Sequence, residues 1–152
     1  MATTVTSSTL TYSLTESCEL AGSQRGSSFK RTVSDSVVEY SRMVRNLQAT
    51  AGFMTIASFS TTPLSSGSSF DIDEVKYIRI TNLDDAVSVY LAINAEFAYS
   101  TTLTLSPGMT FMFGSPKDAY AETEGVPGRD IQSLKVRVPS GSVDIEVVVG
   151  SL

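Results

Sequence analysis

The chain has 152 residues and a formal net charge of −5, with no His, no Trp and a single Cys. Ser-His-Asp and Cys-His sites therefore cannot form, nor can zinc sites built on His or on several Cys. Cys18 cannot close a disulfide within the chain, and so few basic residues argue against phosphate-backbone binding.

The length suits one domain that needs neither disulfides nor metal to fold. No apolar run approaches a membrane span. The opening Met1-Ala2-Thr3-Thr4-Val5-Thr6-Ser7 has neither a basic nor an apolar region, so no secretory signal is expected and folding is expected in the cytosol. Residues 1–8 read as a flexible arm, ordered only on assembly, and 9–152 as one domain.

From Thr9 to Leu20, Leu10, Tyr12, Leu14, Glu16, Cys18 and Leu20 share one parity, while Thr and Ser dominate the other. This period of two predicts a half-buried strand, with Cys18 as a small side chain in it. Ala21 to Gly26 is a turn cluster, and Phe29, Arg31 and Val33 return along a hairpin. In residues 37–47, Val37, Tyr40, Val44 and Leu47 keep helical spacing, yet Val38, Tyr40, Arg42 and Val44 alternate. Strand is favoured, because Val, Tyr and Ser are mediocre helix formers, but helix stays open. Ala51 to Phe59 reads as a strand and residues 61–69 as a loop.

The second half alternates more strongly. Strands are expected over 74–82, 87–93, 101–105 and 109–113. Asn82-Leu83-Asp84-Asp85 is an Asx-type turn, and Ser106-Pro107-Gly108 is a turn needing positive φ at Gly108. Residues 114–129 read as a mobile connection. Ile131, Leu134, Val136 and Val138 lead through Pro139-Ser140-Gly141 to Val143, Ile145, Val147 and Val149, which reads as a closing hairpin. Together these predict an all-β fold: an antiparallel β-sandwich, jelly-roll-like, of eight or nine short strands.

Little here carries chemistry. Asp71, Asp73 and Glu74 could share a calcium ion, but they lack the full calcium-loop spacing and read as a solvated turn. The basic spots Arg25, Lys30, Arg31 and Arg42, Arg45 read as solvated strand faces. No catalytic residue, cofactor or metal ligand is nominated, and no enzyme activity is expected. Tyr90, Asn94, Glu96, Phe97 and Tyr99 cluster around a loop and are the candidate contacts for a partner or a glycan. Phe53, Met54, Phe97, Met109 and Met112 could supply an apolar contact surface.

The order Val75-Lys76-Tyr77-Ile78-Arg79-Ile80-Thr81-Asn82-Leu83-Asp84, then Val87 to Leu91, then Leu105-Ser106-Pro107-Gly108-Met109, and last the stretch from Ile131 to Val149, resembles the small virion structural proteins of tailed bacteriophages, notably marine and cyanobacterial ones. The resemblance spans roughly residues 9–150 and rests on turn chemistry between alternating strands. It implies a β-sandwich present in repeated copies in the capsid (as decoration), the neck or the tail. The resemblance carries over no catalytic residue. Closed symmetry would suit such a subunit, so a homo-oligomer, a trimer or ring, is expected, contacting other virion proteins but neither nucleic acid nor membrane, and no small-molecule ligand is expected. The virion is the expected location, after synthesis in the host cytoplasm. The alternative is a carbohydrate-binding or host-adhesion sandwich, which should present exposed aromatics beside polar groups. An assembly subunit should instead present apolar surface.

Overall fold

A computed structural model describes residues 8–32, 37–95, 100–114 and 131–152. Its elements are β1 (Thr11–Thr15), β2 (Glu19–Leu20), β3 (Ser23–Gln24), β4 (Ser28–Thr32), β5 (Glu39–Gln48), β6 (Met54–Ser60), a single helical turn α1 (Pro63–Ser66), β7 (Phe70–Asp71), β8 (Val75–Asn82), β9 (Val89–Ala95), β10 (Ser100–Leu105), β11 (Thr110–Gly114), β12 (Ile131–Arg137) and β13 (Ser142–Ser151). None of the described helices is long and apolar enough to cross a membrane.

Two sheets form the body, in the orders β11-β8-β13-β5 and β10-β9-β12-β6-β7. All their pairings are antiparallel except β6 with β7. The nesting is simple. β5 pairs with β13, β6 with β12, β8 with β11 and β9 with β10. That is one long antiparallel hairpin rolled up on itself, which is the jelly-roll arrangement.

Alternation explains the packing. Ile78, Ile80, Val143, Ile145, Val147 and Val149 point inward from the four-stranded sheet. Ile56, Phe59, Val89, Leu91, Leu134 and Val136 meet them from the five-stranded sheet. All twelve belong to one buried cluster. Burying a side chain of this size stabilises by about 1.5–3 kcal/mol.

Residues 37–47 fall mostly in β5, so the strand reading holds. Its full antiparallel register with β13, from Glu39 opposite Ser151 to Gln48 opposite Ser142, settles what the spacing left open. The loop expected over 61–69 contains α1, started by Pro63 at its first turn. Of the mobile connection expected over 114–129, Gly114 ends β11 and the rest lies outside the described residues.

Two expectations are corrected. The stretch Ile131 to Val149 is not a hairpin: β12 and β13 lie in different sheets, and the turn at Pro139-Ser140-Gly141 crosses from one to the other. Ala49 N donates to Gly141 O and Thr50 N to Val138 O, so the β5–β6 crossing pairs with this one. Alternation and turn chemistry are the same for a hairpin and for such an arch. The strand over 9–20 is neither continuous nor half-buried. It breaks into β1 and β2, and most of its residues are exposed. Cys18 lies between them, exposed, with its carbonyl accepting from Arg25 N.

Gly108 has φ +70, as its turn requires. Gly108→Val should lower stability by about 1–3 kcal/mol, because a β-branched residue is strained there. Chemical denaturation would read this as a lower midpoint, and an unchanged midpoint would contradict the turn assignment.

Candidate functional site

Three surfaces of the described residues could meet a partner. The first is the N-terminal hairpin. β1 pairs with β4, setting Tyr12 opposite Arg31 and Leu14 opposite Phe29. Ser8, expected to end a free arm, exchanges both backbone bonds with Val37, each at 2.8 Å. Residues 1–7 and Val33 lie outside the described residues. One side of the hairpin is anchored on the outside of the four-stranded sheet. Tyr12 stacks on Tyr77 with ring centres 5.5 Å apart. Gly114 and Gly150 leave the room: a Cβ on Gly114 would sit 3.3 Å from the Tyr12 ring, and one on Gly150 would sit 3.1 Å from Leu10 Cδ2. Burial pushes the Tyr77 hydroxyl pKa up. Beyond this anchor Leu14 and Phe29 continue the same side, 46% and 42% exposed, with the Arg31 guanidinium over the Phe29 ring at 4.8 Å.

The second surface is the rest of that outer sheet face. Glu146, buried, is held by two arginines from the flanking strands. Arg42 donates from Nε to Oε1 at 2.5 Å, and Arg79 donates from Nη2 to Oε2 at 2.6 Å. Around them Tyr40, Val44 and Met112 are exposed. β5 is the edge of this sheet. Arg45 sits on its inward parity and reaches Thr55 O at 3.4 Å. An inward charge on an edge strand discourages sheet-to-sheet pairing there.

The third surface is the outside of the five-stranded sheet. Of the residues singled out from the sequence, Tyr90 and Asn94 lie here, with Ala92 between them on the same side of β9. Glu96, Phe97 and Tyr99 lie outside the described residues. Sequence reasoning missed Arg137, whose guanidinium lies over the Tyr90 ring at 4.5 Å from its centre and over Phe53 at 5.6 Å. Phe53 and the two methionines Met109 and Met112 are exposed as expected, but Met54 packs against the core.

The acidic turns act as structural ties. Asp84 Oδ1 accepts from Val87 N at 2.6 Å and Ala86 N at 2.8 Å, which holds its carboxyl below the ordinary range. Asp71 Oδ1 accepts from Asp73 N at 3.1 Å. Among the described residues no group of three or more His, Cys, Asp or Glu is placed to hold a metal ion. A depressed carboxylate stabilises the fold above its unfolded pKa of about 3.9 and loses that contribution as pH falls through its folded value. Asp84→Asn should therefore show a shallower loss of melting temperature on acidification below about pH 4 than the parent. Parallel acid profiles would contradict this role.

No family model matches the chain, and no curated protein matches it. Among solved structures it is similar to a chain described under "Bacillus endospore appendages form a novel family of disulfide-linked pili", at 8% identity and a TM-score of 0.46, over 74% of this chain and 86% of that one. A likeness this distant assigns neither an activity nor a partner.

Proposed function

We propose that this chain is a structural subunit of a bacteriophage virion, a capsid-decoration, neck or tail accessory component, that works by assembling with copies of itself and with other virion proteins. The supporting observation is the hairpin. An isolated two-stranded hairpin is marginal in water. This one is anchored through Leu10 and Tyr12 and holds Leu14 and Phe29 opposite each other, each a little under half exposed. A neighbouring copy that covers them would remove that cost and fix the arm. Tyr40, Val44 and Met112 lie on the sheet face where the arm is anchored and would extend such a contact. Arg, Tyr and Met are residues that interfaces favour. A jelly roll is also a fold that viral shells use, though the fold by itself assigns no function.

Electron microscopy of the purified full chain at high concentration tests this. Closed rings or compact oligomers of one size are expected. A field of single particles at every concentration would contradict self-assembly.

A further inference from the structure

The two sheets treat their cations differently. On the four-stranded sheet, Arg42 and Arg79 are neutralised together by Glu146. On the outside of the five-stranded sheet, Arg137 and Lys135 stand two residues apart on the same side of β12, opposite Tyr90 and Ala92. Among the described residues the outward neighbours on β6, β9 and β10 are Ser, Thr, Asn, Ala and Tyr, and the carboxylate on that side of the sheet is Asp71, on β7 at the edge beyond β6. In a chain of net charge −5 this positive surface is no by-product of a basic composition.

The arginine is also held in place. Tyr90 and Phe53 both lie against its guanidinium, and its Nε is buried with no hydrogen-bond partner. A guanidinium fixed on rings has little freedom left to lose on binding and keeps its outer N–H edge in one orientation. Beside it on β9, Ala92 is buried between Tyr90 and Asn94, with exposed Thr102 opposite on β10. This strip of the sheet has a cationic, aromatic end and an amide and hydroxyl end.

We propose that this strip binds an acidic polysaccharide through a carboxylated sugar. The carboxylate lies between Arg137 and Lys135, and Asn94 and Thr102 bond the sugar hydroxyls. Paired N–H donors suit a carboxylate. Two cations in an acidic chain are too few to hold a nucleic acid backbone. The strip offers hydroxyls and an amide, from Thr102, Thr104 and Asn94, which favours a sugar over an acidic protein segment. The site lies on the sheet opposite the hairpin anchor and does not depend on assembly.

Calorimetry on the full chain tests it, with alginate oligosaccharides as the carboxylated sugar, dextran oligosaccharides as the neutral one and polyglutamate as a carboxylated peptide. Alginate should bind, dextran should not, and polyglutamate should bind at least about tenfold more weakly. Arg137→Gln and Lys135→Gln should each weaken alginate binding by about tenfold or more, with melting temperatures unchanged. Arg137→Lys should not restore it, because an ammonium lacks the planar fork. Absence of alginate binding up to about 1 mM, equal binding of polyglutamate, or wild-type affinity in Arg137→Gln would overturn the proposal. Hairpin variants should bind alginate normally, which separates failure of this site from failure of assembly.

Discussion

Asn82→Asp should destabilise the protein by about 3–5 kcal/mol at neutral pH, a large part of a typical domain's stability. Asn82 ends β8 on its inward side and has no exposed surface. Its Nδ2 donates to Val87 O at 2.8 Å and to Leu105 O at 3.1 Å, and its Oδ1 accepts from Asp84 N at 3.1 Å. One amide thus ties the end of the four-stranded sheet to the chain entering β9 and to the last residue of β10. A carboxylate there would set negative oxygens against two carbonyl oxygens, buried and unpaired. The penalty also has a pH signature. Burial raises the pKa of the new carboxyl, so the variant should regain stability as pH falls and the group is protonated. The parent, whose Asp84 carboxylate contributes only when ionised, should change in the opposite direction. Urea denaturation at several pH values reads both; a variant as stable as the parent at pH 7 would refute the tie.

Gly26→Ala should abolish assembly and leave the sandwich intact. A Cβ at Gly26 would sit 2.0 Å from the Glu16 carbonyl oxygen and 2.9 Å from Ser17 Cα, both backbone atoms. Neither can swing aside, so the hairpin must open where Glu16 N donates to Ser27 O. Leu14 and Phe29 then lose their alignment. Self-association should weaken by at least about tenfold, while the melting temperature stays with the sandwich. Leu14→Ser with Phe29→Ser should act likewise without touching the backbone. Sedimentation that matches the parent in both variants would remove the hairpin from the interface.

Much of the fold was legible in the sequence because each strand of a sandwich buries one side. Ile78 and Ile80, or Val147 and Val149, declare that side without any partner being known. Asn82 and Asp84 declared a turn by their side-chain chemistry, and both make the expected local bonds. What alternation cannot give is the partner strand. The turn at Pro139-Ser140-Gly141 looks the same whether the chain folds back in one sheet or arches to the other. The same limit hid the stack at Arg137: its opposition to Tyr90 follows from pairing β12 with β9, which no local pattern encodes. The hairpin taught a different lesson. Leu10, Tyr12 and Leu14 alternate as one side of a strand, and they share that side. Their burial was overestimated, because a period of two tells which side wants cover and not whether this chain supplies it.

We propose that copies of this chain assemble through the hairpin of β1 and β4. The most direct measurement is the mass of the full chain in solution by light scattering, over a wide range of concentration. A defined oligomer, or growth in mass with concentration that Gly26→Ala abolishes, is the predicted result. A strict monomer at all concentrations would contradict it.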